Sequence, residues 1–457
     1  MLRLAGGRVE SLWDEVLPGE VRALPEDLAG LDVLLRDAAL LGPIAASWRA
    51  EAVAHGRPTI SMASFVRLMV IKQRTGWGYE ALVREVSDSI HLRRFCLIAL
   101  GERVPDESTV RKLTRRLGAD VVNELTRCVI AKGLRETRFR ARAVRIDSTV
   151  VEADVRYSSD SGLTLDGART LVREAKKLTA LVGEGAGGVR DRTRAIGRRL
   201  RMISKTMGRR TGERKREVLR LTKEAGEQLG RSLREARRLA SSARRGARGR
   251  GASAKLSAVK RLEEIADRAE RVVIQIKRRL AGEPNPNRLV SMFDPDARPI
   301  RKGKLGKPNE FGYVVQICEV TQNTRRGARG FIVPASTTLG SPNETQLLPD
   351  TVSELERLDL RPSEVALDGG FENRPTTDAL EQVAPDRVFI AGRQQPGSRR
   401  TQRRLARYRT GAEGRISHLK RGYGMRRSRL RGQDGMKTWT GWAILAYNLD
   451  TLAIRAN

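Results

Sequence analysis

The sequence predicts an α/β fold, a sheet cut after its first strand by a long helical insertion and preceded by a run of short helices. Three observations predict it. ARAVRIDSTVVEADV, from Ala141 to Val155, is a β-branched run that reads as a buried strand. Later strand patterns, FGYVVQICEVTQ, GFIVPAS, EVALD and DRVFIAG, are interleaved with or followed by helical ones. Between these two groups lies a segment rich in Arg, Lys, Ala, Glu and Leu that keeps a helical period almost throughout.

The helices come first. From about Leu31 to Leu117, apolar positions recur at three and four residues: Phe65, Leu68, Met69 and Lys72, then Leu82, Val86 and Ile90. Val104-Pro105-Asp106-Glu107-Ser108-Thr109 is a turn signal. The VRKLTRRLG that follows reads as a basic helix capped by Asp106 or Ser108. Short helices ending on a basic one fit a DNA-docking bundle, with Arg111, Lys112, Arg115 and Arg116 facing phosphates. A helical packing or dimerisation domain accounts for the same pattern equally well. The division expected is an all-α domain over residues 1–135 and a sheet domain over 136–457, the latter interrupted at about 165–285.

Within the insertion, Val218, Leu221, Ala225, Leu229, Ala236 and Leu239 form one apolar stripe. Leu256, Val259, Leu262, Ile265, Ala269, Val272, Ile276 and Leu280 form another, and an antiparallel hairpin buries both. The glycine clusters at 183–188 and 246–251 lack the Lys-Ser/Thr of a phosphate-cradling loop and read as linkers. The strands after the insertion include FGYVVQICEVTQ and GFIVPAS, joined by the turn NTRRGARG.

Charge narrows the partners. Among 457 residues, 88 Lys and Arg stand against 54 Asp and Glu, a formal +34. A field of that size is neutralised by a polyanion, and counterion release makes double-stranded DNA the expected partner. A hydrophobic content of 39% excludes a wholly disordered basic tail. Cys96, Cys128 and Cys318 are scattered without metal or disulfide spacing. No apolar run reaches a membrane span, so a cytoplasmic, nucleoid-associated location is expected.

Three carboxylates stand out by context. Asp147 interrupts an apolar strand, where a charge is costly unless paired or bound to metal. Asp368 ends EVAL and precedes Gly369-Gly370, and sites form at strand ends of α/β sheets. Arg409, Glu413 and Lys420, at offsets of four and eleven, fall within roughly a 40° arc of one helix. His418 lies roughly opposite Arg409, which demotes it as a base. Asp147, Asp368 and Glu413 are hard oxygen ligands suited to Mg²⁺ or Mn²⁺, and two ions are expected to share them in phosphodiester chemistry. Arg409 and Lys420 are expected to hold phosphates. The plainer account is an ion-pair ladder along a helix; Gly411 and Gly414 argue against it because they lower helix propensity.

RIDSTVVEADVRYSSDSG, SMFDPDARPIRKGKLGKPNEFGYVVQ, ALDGGFENRP and RTGAEGRISHLKRGYGMRRSRLRG resemble the insertion-sequence DDE transposases, in particular their ISNCY-type group. Arg409, Glu413 and Lys420 match the spacing of that group's Tyr-Arg-Glu-Lys signature, whose tyrosine position is taken by Ala406 with Tyr408 nearby. The resemblance implies a ribonuclease-H-like catalytic domain, binding to the terminal inverted repeats of a mobile element, nicking at its ends and attack of the freed 3′-hydroxyl on target DNA. It also implies a homodimer that joins two ends in a synaptic complex. Lys302, Lys304 and Lys307, in the loop ahead of a strand, are expected DNA contacts, although a basic surface loop explains them more simply. Trp439 and Trp442 are expected in the core. A non-catalytic nucleic-acid-binding descendant and a nuclease that cuts without joining are the alternatives.

Overall fold

The computed structural model describes residues 1–6, 15–48, 58–156, 159–183, 187–206, 211–249, 251–304, 307–371, 374–393 and 397–456. It divides into two compact units: residues 1–154 with 313–457, and residues 155–312.

In the first unit the N-terminal helices are α1 (Glu26–Leu35), α2 (Met62–Thr75), α3 (Tyr79–Asp88), α4 (Ile90–Phe95) and α5 (Glu107–Glu136). Ser61 caps α2, its hydroxyl accepting the Ser64 N–H at 3.3 Å, and Gly76 ends it in the left-handed region. Gly118, at φ 67° and ψ −171°, breaks α5, so the basic VRKLTRRL run stops where the sequence placed its end. The expected cap is not made. Asp106 occupies the N-cap position without a capping hydrogen bond and instead accepts Arg103 at 3.3 Å, while Ser108 lies inside the helix.

The strands of this unit are β1 (Ala143–Ala153), then, after β2 (Arg298–Lys304) of the second unit, β3 (Lys307–Thr321, from Tyr313 onward in the first), β4 (Phe331–Ile332), β5 (Glu364–Leu367), β6 (Arg387–Ile390) and β7 (Arg427–Ser428). β3, β1, β5 and β6 lie side by side in that order, β4 adds to β3 and β7 to β1. β1, β5 and β6 are parallel, and β4 is antiparallel to β3. GFIVPAS yields only two strand residues; past Val333 its pairing with β3 shifts register and survives only as the isolated bridge of Ser336 with Gln316. Asn448 brackets the edge of that short strand, its amide accepting from Ile332 N at 2.9 Å and donating to Ile332 O at 2.7 Å. β7 was not legible in the basic RSRL string, since two residues carry no alternation.

Helices α10 (Glu344–Arg357), α11 (Arg374–Glu381), α12 (Arg399–Gly422) and α13 (Gly432–Ala456) complete the unit, once α6 to α9 of the other unit are counted in chain order. Trp442 is fully buried, edge-on to Phe65 at 5.7 Å, and Trp439 is nearly so, as expected of core aromatics. Lys72 keeps its place in the apolar stripe of α2. Its ammonium sits 3.9 Å from the Trp439 ring and 4.7 Å from the Tyr79 ring. Burial, aided by Arg429, pushes its pKa down from 10.5 to about 7. The folded chain therefore sheds this proton before the unfolded chain does, and between pH 7 and 10.5 the unfolded state binds more protons. Stability from this residue is expected to rise with pH across that window; melting curves of Lys72→Met should lose that slope, and an unaltered slope would contradict the assignment.

The second unit packs α6 (Asp160–Val182), α7 (Thr193–Thr206), α8 (Gly212–Arg245) and α9 (Ala252–Ala281). Leu229, Ala236 and Leu239 of α8 share one core with Leu262, Ile265, Ala269 and Ile276 of α9. Ion pairs Arg237–Glu270 (2.6 Å) and Arg244–Glu263 set the two antiparallel, the hairpin the stripes required. Leu256 and Leu280, at the ends of the second stripe, are exposed. Gly226 lets α9 approach closely, since a Cβ there would stand 3.1 Å from Ile276. Asp160 at the start of α6 is buried and takes Arg279 at 2.7 Å and Arg288 at 3.1 Å.

Lys302 and Lys304 lie on β2 and Lys307 on β3, two antiparallel strands with Lys304 opposite Lys307. They are hairpin residues rather than loop residues, because Arg298–Lys304 forms a strand that the sequence does not predict; their side chains fall outside the described residues. Cys96, Cys128 and Cys318 are free thiols. No helix among the described residues is long and apolar enough to cross a membrane.

Candidate active site

Alternation along β1 puts Arg145 and Asp147 on one face. Helix α12 lies against that face: its Leu405 and Tyr408 pack on Ala143, Ala366 of β5 and Phe389 of β6. Tyr408 faces inward, its hydroxyl 2.6 Å from Thr321 Oγ1, and burial pushes its pKa up. It is part of the core.

A buried ionic cluster holds the helix in position. Glu319 of β3 is 1% exposed and receives Arg145 at 2.6 Å and Arg415 of α12 at 2.8 Å, with the Gly330 N–H at 2.9 Å. The remaining Arg145 donors go to the carbonyls of Tyr408 (3.1 Å) and Ala328 (2.9 Å). Every polar group of the pair is thus engaged, as a buried ion pair requires. Gly411 explains the weak helix former on α12, because a Cβ there would stand 1.8 Å from the Arg145 guanidinium. Arg145, Glu319 and Arg415 are not among the residues expected from sequence. The signal was present: each of the first two is a charge inside an apolar strand, the same argument that selected Asp147.

One turn along α12, Arg409 and Glu413 reach the end of the parallel strands. β1 and β5 pair with Arg145 opposite Ala366. Asp147 follows two residues after Arg145 on that face and Asp368 directly follows β5, near enough that its charge acts on the Asp147 carboxyl. Arg409 joins the second and third carboxylates, donating to Asp368 Oδ1 at 3.0 Å and to Glu413 Oε1 at 3.2 Å. Asp147 Oδ1 accepts the Ser148 N–H at 2.7 Å. Burial, then the negative charges of Asp368 and Glu413, push the Asp147 carboxyl above its usual range; the Ser148 N–H and Arg409 pull the other way. Burial varies across the set: the Asp147 side chain is largely enclosed, whereas those of Asp368 and Glu413 are 45% and 67% exposed.

The structure therefore brings together Asp147, Asp368, Glu413 and Arg409. Lys420 lies about 10 Å further along α12, two turns beyond Glu413. His418 turns away, its ring 3.1 Å from Arg415 and edge-on to Tyr423 and Tyr447, with burial and Arg415 lowering its pKa. In the N-terminal helices, Lys112 and Arg115 are exposed, Arg116 stacks 3.8 Å over the Trp48 ring, and Arg111 is tied to Glu107. Among the described residues no three His, Cys, Asp or Glu side chains converge closely enough to ligate one ion. The Arg409 guanidinium occupies the space between two of the carboxylates, a cation already seated among them.

Two family models match. A transposase domain (DUF772) covers residues 25–116, which include α1 to α4 and Arg111, Lys112, Arg115 and Arg116. A transposase DDE domain covers residues 306–449, which include Asp368, Arg409, Glu413 and Lys420. That second domain implies a ribonuclease-H-like fold, in keeping with the mixed sheet and its flanking helices. Asp147 precedes the matched segment and is tied to it through strand pairing. No curated protein and no solved structure matches the chain. With a transposase domain over its N-terminal helices and a DDE domain over the later strands and α12, the chain belongs to the insertion-sequence DDE transposases, enzymes that cleave DNA and transfer the cut strands.

Proposed function

We propose that Asp147, Asp368 and Glu413 are the catalytic carboxylates of this transposase and hold a pair of Mg²⁺ or Mn²⁺ ions. The observation that carries the reading is the charge cluster itself: the charges of Asp368, Arg409 and Glu413 all act on the Asp147 carboxyl, and Arg409 ties Glu413 to Asp368. The donors suit the ions: all are hard oxygens, and the guanidinium between Asp368 and Glu413 is held there by the same negative charge that would attract a metal. Bound there, such ions supply an activated hydroxyl nucleophile and stabilise the departing 3′ oxygen.

The chain's own residues supply the rest. Enclosed in the sheet, Asp147 gives a fixed carboxylate, backed by β1 and by the Arg145–Glu319 pair beneath α12. Arg409 would bind a DNA phosphate, with Lys420 further along the same helix. The helices of residues 1–135 dock the terminal inverted repeats through Arg111, Lys112, Arg115 and Arg116, and Lys302, Lys304 and Lys307 add backbone contacts. Residues 136–457 form the ribonuclease-H-like catalytic domain with its helical insertion. Two chains bring the two ends of the element together, on double-stranded DNA in the bacterial nucleoid.

The test is a labelled fragment carrying the element's own ends, incubated with the protein and Mg²⁺ or Mn²⁺. Nicked ends and joined products are expected; nicking with no joined product would reassign the chain as a nuclease. Arg409→Gln is expected to lower the Mn²⁺ concentration needed for half-maximal cleavage, because it removes the competing cation, while cutting the maximal rate by about 10²-fold through a lost phosphate contact. A raised Mn²⁺ requirement would contradict the placement of Arg409.

A further inference from the structure

The helical unit of residues 155–312 carries two cationic stripes whose side chains hold no ion pair among the described residues. Helix α7 contains no acidic residue. Its Arg194, Arg198, Arg201 and Lys205 are all exposed and follow offsets of four, seven and eleven, which confines them to roughly a 60° arc about 16 Å long. The cations on the opposite side of this segment behave differently: Arg192 pairs with Glu235 of α8 at 2.6 Å and Arg199 with Glu224 at 2.8 Å. Those pairs also set α7 antiparallel to α8.

On α8 the same division recurs. Arg237 and Arg244 pair with acids of α9, and Glu224 and Glu235 are taken by α7. Between these two contact sides, over residues 223–238, the outward arc carries Lys223, Arg231, Arg234 and Arg238, all exposed, with Glu227 as its one acid. Among the described residues, none of these eight side chains holds an ion pair. The outward arc of α9 alternates in sign, Lys260 followed by Glu264 and Asp267. The exterior of α7 and α8 is thus a predominantly cationic surface, and that of α9 is mixed.

We infer that the exterior of α7 and α8 is a docking surface for the phosphate backbone of double-stranded DNA. Charge complementarity names the occupant. Eight cations without an ion pair, in neighbouring rows, gain nothing from one another, and a duplex presents one negative charge per about 1.7 Å of axis along a straight edge that two antiparallel helices can follow. There are no aromatic side chains on either arc to stack unpaired bases, so the surface suits a duplex and reads no sequence. It deepens the transposase reading, on which it rests, by assigning the insertion a role in gripping DNA outside the recognised end.

The experiment uses the full chain and a labelled duplex of arbitrary sequence, about three helical turns (~30 base pairs) long, with binding measured by fluorescence anisotropy across a series of salt concentrations. Each phosphate contact removed should lessen the slope of log affinity against log salt by about 0.9. Two variants are compared, Arg194→Gln/Arg198→Gln/Arg201→Gln/Lys205→Gln and Lys223→Gln/Arg231→Gln/Arg234→Gln/Arg238→Gln. Each is expected to flatten the slope by about 2 to 3.5 and weaken binding at least about tenfold at moderate salt. Lys260→Gln/Lys277→Gln, on α9, is expected to leave the slope as it is. Helical circular dichroism accompanies each protein, and Arg198→Gln/Arg234→Gln replaces any variant that loses helix. Wild-type slope in well-folded variants overturns the surface, as does a slope lost on duplex RNA but kept on DNA. Absence of salt-sensitive binding by the wild type would instead overturn the transposase reading's DNA partner, so the two failures are distinct.

Discussion

Asp147→Asn is expected to reduce metal-dependent strand cleavage by roughly 10³-fold or more while leaving DNA affinity unchanged. The substitution is nearly isosteric. Asparagine retains an oxygen for the Ser148 N–H, which Asp147 accepts at 2.7 Å, so the strand has no reason to move. What disappears is the negative charge at the most enclosed of the three carboxylates. Binding depends on cations elsewhere on the chain and should persist with the same salt dependence. Gel separation of a labelled element end, at matched occupancy and with Mg²⁺ or Mn²⁺, reads the two quantities apart. Undiminished cleavage by the variant would sink the assignment of Asp147, whatever the fate of Asp368 and Glu413.

The second large effect is expected from residues that never meet DNA. Glu319→Ala leaves Arg145 and Arg415 buried without their carboxylate, a loss of about 3–5 kcal/mol. Gly411→Ala attacks the same cluster from the helix. The end of a long side chain normally yields to a new methyl group, but Arg145 is pinned by Glu319, Tyr408 O and Ala328 O and has nowhere to retreat. Both variants should melt at markedly lower temperature. Both should also cleave poorly at temperatures where they remain folded, because α12, which carries Glu413, is no longer fixed against β1. Glu319→Gln, which keeps one acceptor, is expected to fall between. Thermal unfolding paired with cleavage at low temperature checks this, and an unshifted melting curve for Glu319→Ala would show that the cluster is dispensable.

Much of the architecture was readable because local pattern and burial agree. β1, β5 and β6 appeared as short β-branched runs, and the helical unit announced itself through stripes that find each other as α8 and α9. The pieces that escaped are those whose geometry depends on distant partners. β2 consists largely of Arg, Pro, Lys and Gly with little strand character and exists because β3 pairs with it. The Asp106 cap failed for a local reason, since Arg103, three residues earlier, takes the carboxylate. At the site, helical spacing alone placed Arg409 beside Glu413, which follows from one turn of helix. Spacing was silent on Arg409 reaching Asp368, 41 residues earlier. It also led Tyr408, two residues from the signature position, to be noticed as a candidate neighbour when its hydroxyl in fact turns to Thr321.

The insertion between β1 and its sheet partners has a consequence in time. Asp147 is synthesised early, yet the strand beside it, β5, begins 221 residues after the start of β1, and the helix that buttresses β4 and α5 comes later still. At roughly 5–20 residues per second, translation from β1 to the far end of α13 takes on the order of 15–60 seconds. The helices of residues 155–312, whose contacts are comparatively local, can assemble on the ribosome during that wait. A nascent chain therefore presents a finished basic helical unit long before it owns the three proposed catalytic carboxylates, and a message interrupted before Asp368 and α12 yields a protein lacking two of them. The order of the gene is a safety catch on the enzyme.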